Sequence, residues 1–259
     1  VPEESLKLHF VPISGFLGDN LVKRGDNLSW FKGPTLFEMI SSLKVPERST
    51  SKSPRFIIND AYKISGIGTV PVGKMISGEM KPGMKVCFTG YNSAVDIKSI
   101  EEFHVSQQLG KAGQLLGINV RGVSVRDLSN GMVMYLQNDP KPPLQYSEVE
   151  AQVHLRYMPT SVRVGYTATM HIHMAVVGCT VVEIISKIDR ITLSENADNC
   201  NEIKSGELAR VRLRFTKKTC VEKFAEYPIL GRFSILDGHD IVMIGIVLDV
   251  IQVEEEKKK

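Results

Sequence analysis

Two stretches of this chain alternate with a period of two, and that period leaves little choice of fold. In VEAQVHLRYM, residues Val149, Ala151, Val153, Leu155 and Tyr157 share one face of an extended backbone. In ELARVRLRF, Val211, Leu213 and Phe215 take one face and Arg210, Arg212 and Arg214 the other. Successive side chains of a strand point to opposite faces, so each stretch predicts a strand with one dry and one wet side. DIVMIGIVLDVIQV is apolar on both faces and predicts a strand buried on both sides. Glycine-bearing turns at KPGMK, RGVSVRD, LSNG, KSGE and LDGHD separate such runs. Many short strands with regular turn signals indicate barrels or sandwiches.

The first residues read differently. LHFVPISG predicts a short apolar strand entering a turn. GPTLFEMISSLKVP predicts a helix, with Leu36, Met39, Ile40 and Leu43 on one stripe, Pro34 in its first turn and Pro46 beyond its end. A strand, a loop and one helix cannot close a core, so residues 1–46 read as the tail of an α/β domain. The serine-rich ERSTSKSPR makes residues 47–54 a linker. The proline-rich NDPKPPLQ divides the β region into units 55–144 and 145–254, and residues 255–259 form a charged, solvated tail. The length of 259 residues accommodates this.

A hydrophobic fraction of 42% and a charged fraction of 24% are those of a globular protein. No apolar run is long enough to span a bilayer, and VPEESLKLHF lacks the regions of a signal peptide, so a cytoplasmic chain without a membrane partner is expected. A net charge of +3 permits a basic patch without demanding one. Cys87, Cys179, Cys200 and Cys220 are scattered, which favours reduced, buried thiols over disulfides or a metal site.

GTVPVGKM imitates a phosphate loop, since Gly68, Gly73 and Lys74 fit G-x-x-x-x-G-K. Met75 stands where a magnesium-binding hydroxyl is needed, and Pro71 removes one donating N–H. The stretch continues as β-type sequence and is read as a strand. SKIDR faintly imitates a guanine-reading motif but follows the β run VVEII and reads as a strand end. His171 and His173 in MHIHM would share one face of a strand, yet no third ligand is near, so no metal site is assigned. The Arg210, Arg212, Arg214 row could meet phosphates, but taken alone it reads as a solvated strand face. No nucleophile, base and oxyanion set can be picked out, so no catalytic residue is named.

FVPISGFLGDN, WFKGPTL, DAYKISGIGTVPVGK, KPGMKV, INVRGVSVRDL, VEKFAEYPILGRF and IVMIGIV occur in an order that resembles elongation factor 1-alpha, from about residue 8 to the C-terminus. The same superfamily of translational GTPases holds eukaryotic release factor 3 and the ribosome-rescue factor that partners Pelota. The resemblance implies a mainly β fold: two consecutive antiparallel β-barrels preceded by a strand-helix remnant of a GTPase domain. It places the last guanine-contacting loop at Ser14 and Gly15. The phosphate loop, switches and main guanine motif belong upstream, so this chain alone should neither bind nor hydrolyse GTP. GTP and magnesium would be cofactors of the parent protein, and the missing GTPase domain a partner of the barrels.

By the same resemblance the first barrel holds the aminoacyl end of tRNA near Asn59, Asp60, Gly66, Gly68 and Thr69, and the ribosome is a further partner. In the second barrel Arg210, Arg212, Arg214, Lys223, Arg232 and Leu236 would meet the partner. Three positions depart from the family. Leu115 stands where an asparagine is usual in the aminoacyl pocket, Ile76 replaces an acidic residue, and Leu236 replaces an arginine. Each change removes an orienting polar group. Two functions therefore stay open: delivery of aminoacyl-tRNA, or the holding of a tRNA-mimicking protein, release factor 1 or Pelota.

Overall fold

A computed structural model describes residues 8–44, 47–156, 158, 160–192, 194–197 and 200–252. The chain divides into two compact units, Val1–Glu47 and Arg48–Lys259.

In the first unit the helix is α1 (Leu36–Ser42). Its start is set by a capping box: the Glu38 amide donates to Thr35 Oγ1 at 3.2 Å and the Thr35 amide donates to Glu38 Oε2 at 2.9 Å. Pro34 thus precedes the cap instead of occupying the first turn. Pro46 lies outside the described residues. The apolar stripe is left open within this unit, with Phe37, Ile40 and Leu43 exposed and Leu36 and Met39 half-buried. The strand expected in LHFVPISG does not form. Strand backbone needs a neighbour to take its hydrogen bonds, and no strand is present among the described residues of this unit.

Among its described residues the second unit has eighteen strands. Those before the proline-rich stretch are β1 (Arg55–Ile64), β2 (Gly68–Ser77), β3 (Glu79–Met80), β4 (Lys85–Phe88), β5 (Val95–Glu102), β6 (Val105–Gln107), β7 (Gly110–Lys111), β8 (Leu115–Arg121) and β9 (Val133–Leu136). The order β4-β9-β1-β2-β8-β5 returns to β4, so six strands close a ring, with β6 appended to β5. GTVPVGKM is the start of β2, and its inward residues include Pro71, Gly73 and Met75, while Lys74 is exposed. Met75 is completely buried beside Phe56, Ile58, Phe88 and Ile118, a core position and not an ion ligand. Gly73 is required there, because a Cβ would fall 1.9 Å from the Ile57 carbonyl oxygen.

The later strands are β10 (Gln145–Leu155), β11 (Val162–Arg163), β12 (Thr167–Ile172), β13 (Ala175–Ile188), β14 (Glu195–Asn196), β15 (Glu202–Ile203), β16 (Leu208–Cys220), β17 (Arg232–Asp237) and β18 (Asp240–Ile251). The order β12-β17-β18-β10-β16-β13 closes on β12, a second six-stranded ring. The fold is mainly β, as the alternation implied. Val149, Ala151, Val153 and Leu155 are inward and fully buried, as are Val211 and Leu213; Tyr157 lies outside the described residues. SKIDR is the end of β13 and the turn after it.

The expectation for β18 is corrected. Val242, Met243 and Val247 are buried, but Ile241 and Ile244 are 41% and 42% exposed. A closed barrel has an interior on one side only, and the other face of β18 is left partly open, with Ile246 and Leu248 half-buried.

Between the rings lies a small apolar cluster of Ile57, Val133, Cys220, Tyr227 and Leu230. Residues 137–144 join β9 to β10 without a strand. Residues 47–54 are irregular but fastened. Ser49 O accepts from the Gly78 amide at 2.9 Å, and Ser53 O accepts from Ser77 Oγ at 2.7 Å. Their carbonyls satisfy the first barrel, which a freely moving linker would not do.

Candidate ligand-facing surfaces of the barrels

In the first unit Ser14 and Gly15 sit at a tight turn. The Gly18 amide donates to Ser14 O at 2.9 Å and the Leu17 amide to Ser14 Oγ at 3.2 Å. A Cβ on Gly15 would meet nothing within 4 Å, so the turn leaves open space there.

In the first barrel the β1–β2 register slips between Ile58 and Asp60, which makes Asn59 the extra residue of a bulge. Asn59 and Asp60 are exposed on it. The Asp60 carboxyl is held below its usual range by a hydrogen bond from Tyr62 and by the Ala61 amide, which donates at 2.8 Å. It stays ionised and outward. At the other end of the hairpin Gly66 and Gly68 have φ of +77° and +123°, a backbone that glycine adopts without strain. Gly68 borders a cleft of about 450 Å3 whose lining also includes Lys98, Asn119 and Arg121. Thr69 lines the cleft too, but its hydroxyl is committed, donating to Val123 O at 2.8 Å. Lys98 and Arg121 were missed from the sequence, because basic residues on strands carry no local signal of what they border.

Leu115 is not in this cleft. It pairs with Lys74 across β2 and β8, whereas Thr69 pairs with Val120. Five residues along β2 separate the two places, about 17 Å at the rise of a strand. Leu115 is 56% exposed on the outer face and blocks nothing at Gly68. Ile76, the second departure, is half-buried against the apolar cluster between the barrels.

In the second barrel Arg210, Arg212 and Arg214 do point outward, and each has a carboxylate. Arg214 Nε donates to Glu148 at 2.6 Å, Arg212 lies 3.0 Å from Glu183, and Arg210 pairs with Glu150 and Glu195. The acids come from β10 and β13, the neighbours of β16, and from β14 beyond β13. The face is a cross-strand ladder of alternating charge, already neutral before any phosphate arrives. Lys223 likewise lies 2.8 Å from Asp249. Arg232 makes no ion pair among the described residues and stacks 5.5 Å from the Phe224 ring. Leu236 is half-buried on β17, opposite Thr169.

MHIHM does not present two histidines on one face. β12 ends at Ile172, and His173 turns away with φ +42°. Its Nε2 lies 2.9 Å from Cys220 O, and burial lowers its pKa, partly countered by that hydrogen bond. Among the described residues no group of three His, Cys, Asp or Glu could hold a metal.

The most heavily buried charges stand between the barrels. The Arg55 side chain is completely buried and pairs with Asp139 and with Glu222, whose Oε2 is 3.2 Å from Nε. Its Nη2 also donates to Lys141 O at 2.7 Å, and the Tyr227 ring lies 4.9 Å from the guanidinium. Burial raises the Glu222 pKa, and Arg55 pulls it back in part. Lys141 and Glu226 add a second, exposed pair. This cluster binds barrel to barrel and has no room for a substrate.

Comparison with known proteins gives matches along most of the chain. Residues 148–248 match the GTP-eEF1A C-terminal domain-like family and residues 68–135 match Elongation factor Tu domain 2. Elongation factor 1-alpha of Staphylothermus marinus is 41% identical over 97% of this chain and 57% of its own length. That of Metallosphaera sedula is 38% identical over 94% of this chain and 56% of its own. That of Eimeria bovis is 38% identical over 94% of this chain and 70% of its own. A crystal structure of Sup35 complexed with GMPPNP superposes with a TM-score of 0.73 at 25% identity, over 93% of this chain and 58% of that one. The chain thus spans little more than half the length of the archaeal relatives.

Proposed function

We propose a function from one premise: the chain belongs to the elongation factor 1-alpha family, and so to the translational GTPases. In our reading it is the tRNA-gripping β-barrel region of a factor that delivers aminoacyl-tRNA to the ribosome in the cytoplasm. GTP and magnesium belong to the GTPase domain of the parent protein, and the barrels themselves carry no catalytic residue. Ser14 and Gly15 stand at the guanine-contacting turn of that domain.

The observation that carries this reading is the open, polar cleft beside Gly68. Lys98 and Arg121 border it, and Leu115 lies well away from it. Backbone amides at glycine-rich turns, Arg121, and Lys98, whose Nζ lies 3.8 Å from Asp96 in an exposed pair, suit the phosphate and ribose groups of an acceptor end. Asp60, ionised and exposed on the bulge, suits a cationic amino group. The second barrel contributes less than its arginine count suggests, because Arg210, Arg212, Arg214 and Lys223 are neutralised by carboxylates.

A second reading is favoured by Leu115. An exposed leucine on the outer face suits a protein partner, such as release factor 1 or Pelota, more than RNA. The full-length GTP-bound protein should be titrated with aminoacyl-tRNA and with each of those proteins. Submicromolar tRNA affinity that falls steeply with salt supports delivery. Tight binding of a protein without tRNA binding reverses the order of the two readings.

A further inference from the structure

A second cleft lies on the second barrel, beside the charge ladder, since Gln152 on its lining pairs with Arg210. It has a volume of about 550 Å3 and crosses five neighbouring strands, β16, β10, β18, β17 and β12. Two rungs of cross-strand neighbours build it. One runs Gln152, Ile246, Arg232 and the other His154, Ile244, Ser234, His171. Gly245, between the rungs, faces the barrel interior, where a Cβ would come 2.5 Å from the buried Phe233 ring. Aliphatic side chains form the floor, and nitrogen donors stand around it.

Three properties narrow the occupant. The lining has no Asp or Glu, although Arg210, Arg212 and Arg214 of the same barrel are paired with carboxylates. Arg232 borders the groove without an ion pair among the described residues. His154 also lines it, and its Nε2 is buried with no hydrogen-bond partner, a state that costs free energy until a partner arrives. The floor is apolar and includes Leu208, Ile244 and Ile246, with Ile244 42% exposed. A nucleic acid would meet one cation, Arg232, and gain little from such a floor. Every strand beneath the groove is hydrogen-bonded on both sides within the closed ring, so a guest cannot add as a further strand. It must be read by side chains.

We propose that this groove is a docking site for an extended segment of a partner protein in which aliphatic and acidic side chains alternate. Its aliphatic groups rest on Ile244, Ile246 and Leu208, and its carboxylates face Arg232, His171 and the vacant His154 Nε2. The site stands independently of the tRNA reading, which rests on the first barrel.

The test uses the whole chain, isotope-labelled for amide NMR, titrated with the peptide acetyl-LEIDLE-amide, with acetyl-LKIKLK-amide and with oligouridine. The acidic peptide should shift resonances of residues 152–154, 171, 232–234 and 244–246, and Arg232→Glu should weaken it by about tenfold or more. His171→Glu, an exposed position on a different strand, keeps the test readable if Arg232→Glu misfolds, and should weaken binding in the same direction. Equal response to the basic peptide, shifts confined to other surfaces, or oligouridine displacing the peptide from these residues would overturn the proposal. Because no tRNA is present, failure here leaves the first-barrel reading untouched, and failure of tRNA delivery leaves this groove untouched.

Discussion

Arg55 Nε and Glu222 Oε2 meet 3.2 Å apart across the junction of the two barrels, one side chain from β1 and the other from the segment after β16. Asp139, from the connection between the barrels, closes on the same guanidinium. Removing the cation would strand two buried carboxylates. Arg55→Met is expected to cost about 3–5 kcal/mol in urea unfolding. Adding Glu222→Gln and Asp139→Asn should return part of it, since the triple variant leaves no net buried charge. A loss for Arg55→Met below about 1 kcal/mol would refute the role assigned to the cluster.

Gly73 and Lys74 separate a phosphate loop from a strand. A nucleotide site would need both for binding, whereas the strand needs only the glycine. Gly73→Ala should destabilise by more than about 2 kcal/mol, because its Cβ would strike the Ile57 carbonyl. Lys74→Ala, on the exposed face, should stay within about 0.5 kcal/mol. Thermal melts of the two variants decide it, and a melting point raised by GTP in the parent chain but lost in Lys74→Ala would contradict the strand assignment.

The β5–β6 hairpin turns through Phe103 and His104, both left-handed at φ +48° and +66°, with Glu102 opposite Val105. Such two-residue turns favour Asn-Gly. Replacing the pair by Phe103→Asn and His104→Gly should raise stability by about 1 kcal/mol or more, since a left-handed residue with a bulky side chain costs about that much. An unchanged or lower denaturation midpoint would show that the Phe103 side chain makes a stabilising contact.

His173 is kept neutral by burial, with its pKa below the usual 6.5. Above pH 6.5 it is uncharged whether the chain is folded or unfolded, and its contribution is fully present. As pH falls from there towards the folded-state value, the unfolded chain binds the proton first and that contribution is lost. Stability should therefore drop on acidification from pH 6.5, and His173→Asn, which tolerates the positive φ, should flatten that part of the profile. Parallel profiles for the two proteins would show that His173 does not titrate differently on folding.

The sequence makes the interiors of both barrels legible and their exteriors much less so. Alternation puts Val149 to Leu155 and Val211 to Phe215 inside because the period of a strand is fixed by backbone geometry. The same rule misjudges β18, since an apolar outer face looks identical whether covered or left open as a groove. The histidines of MHIHM are misread because a single residue with positive φ ends the strand between them. The Arg210, Arg212 and Arg214 row is found, but its carboxylates come from three other strands, and no local pattern reveals such neighbours. Arg55 is invisible for the same reason: Asp139 and Glu222 lie 84 and 167 residues away in the chain. The departure at Leu115 is legible as a substitution, but its distance from the Gly68 cleft follows only from the strand register.

The connection between the barrels is also a member of the cluster that locks them, through Asp139 and Lys141. A hinge that is bolted at its own pivot cannot swing freely. Any guest that touches both barrels must then match a fixed spacing, so the two surfaces act as jaws of a gauge, and selection by length becomes available without any change in either contact.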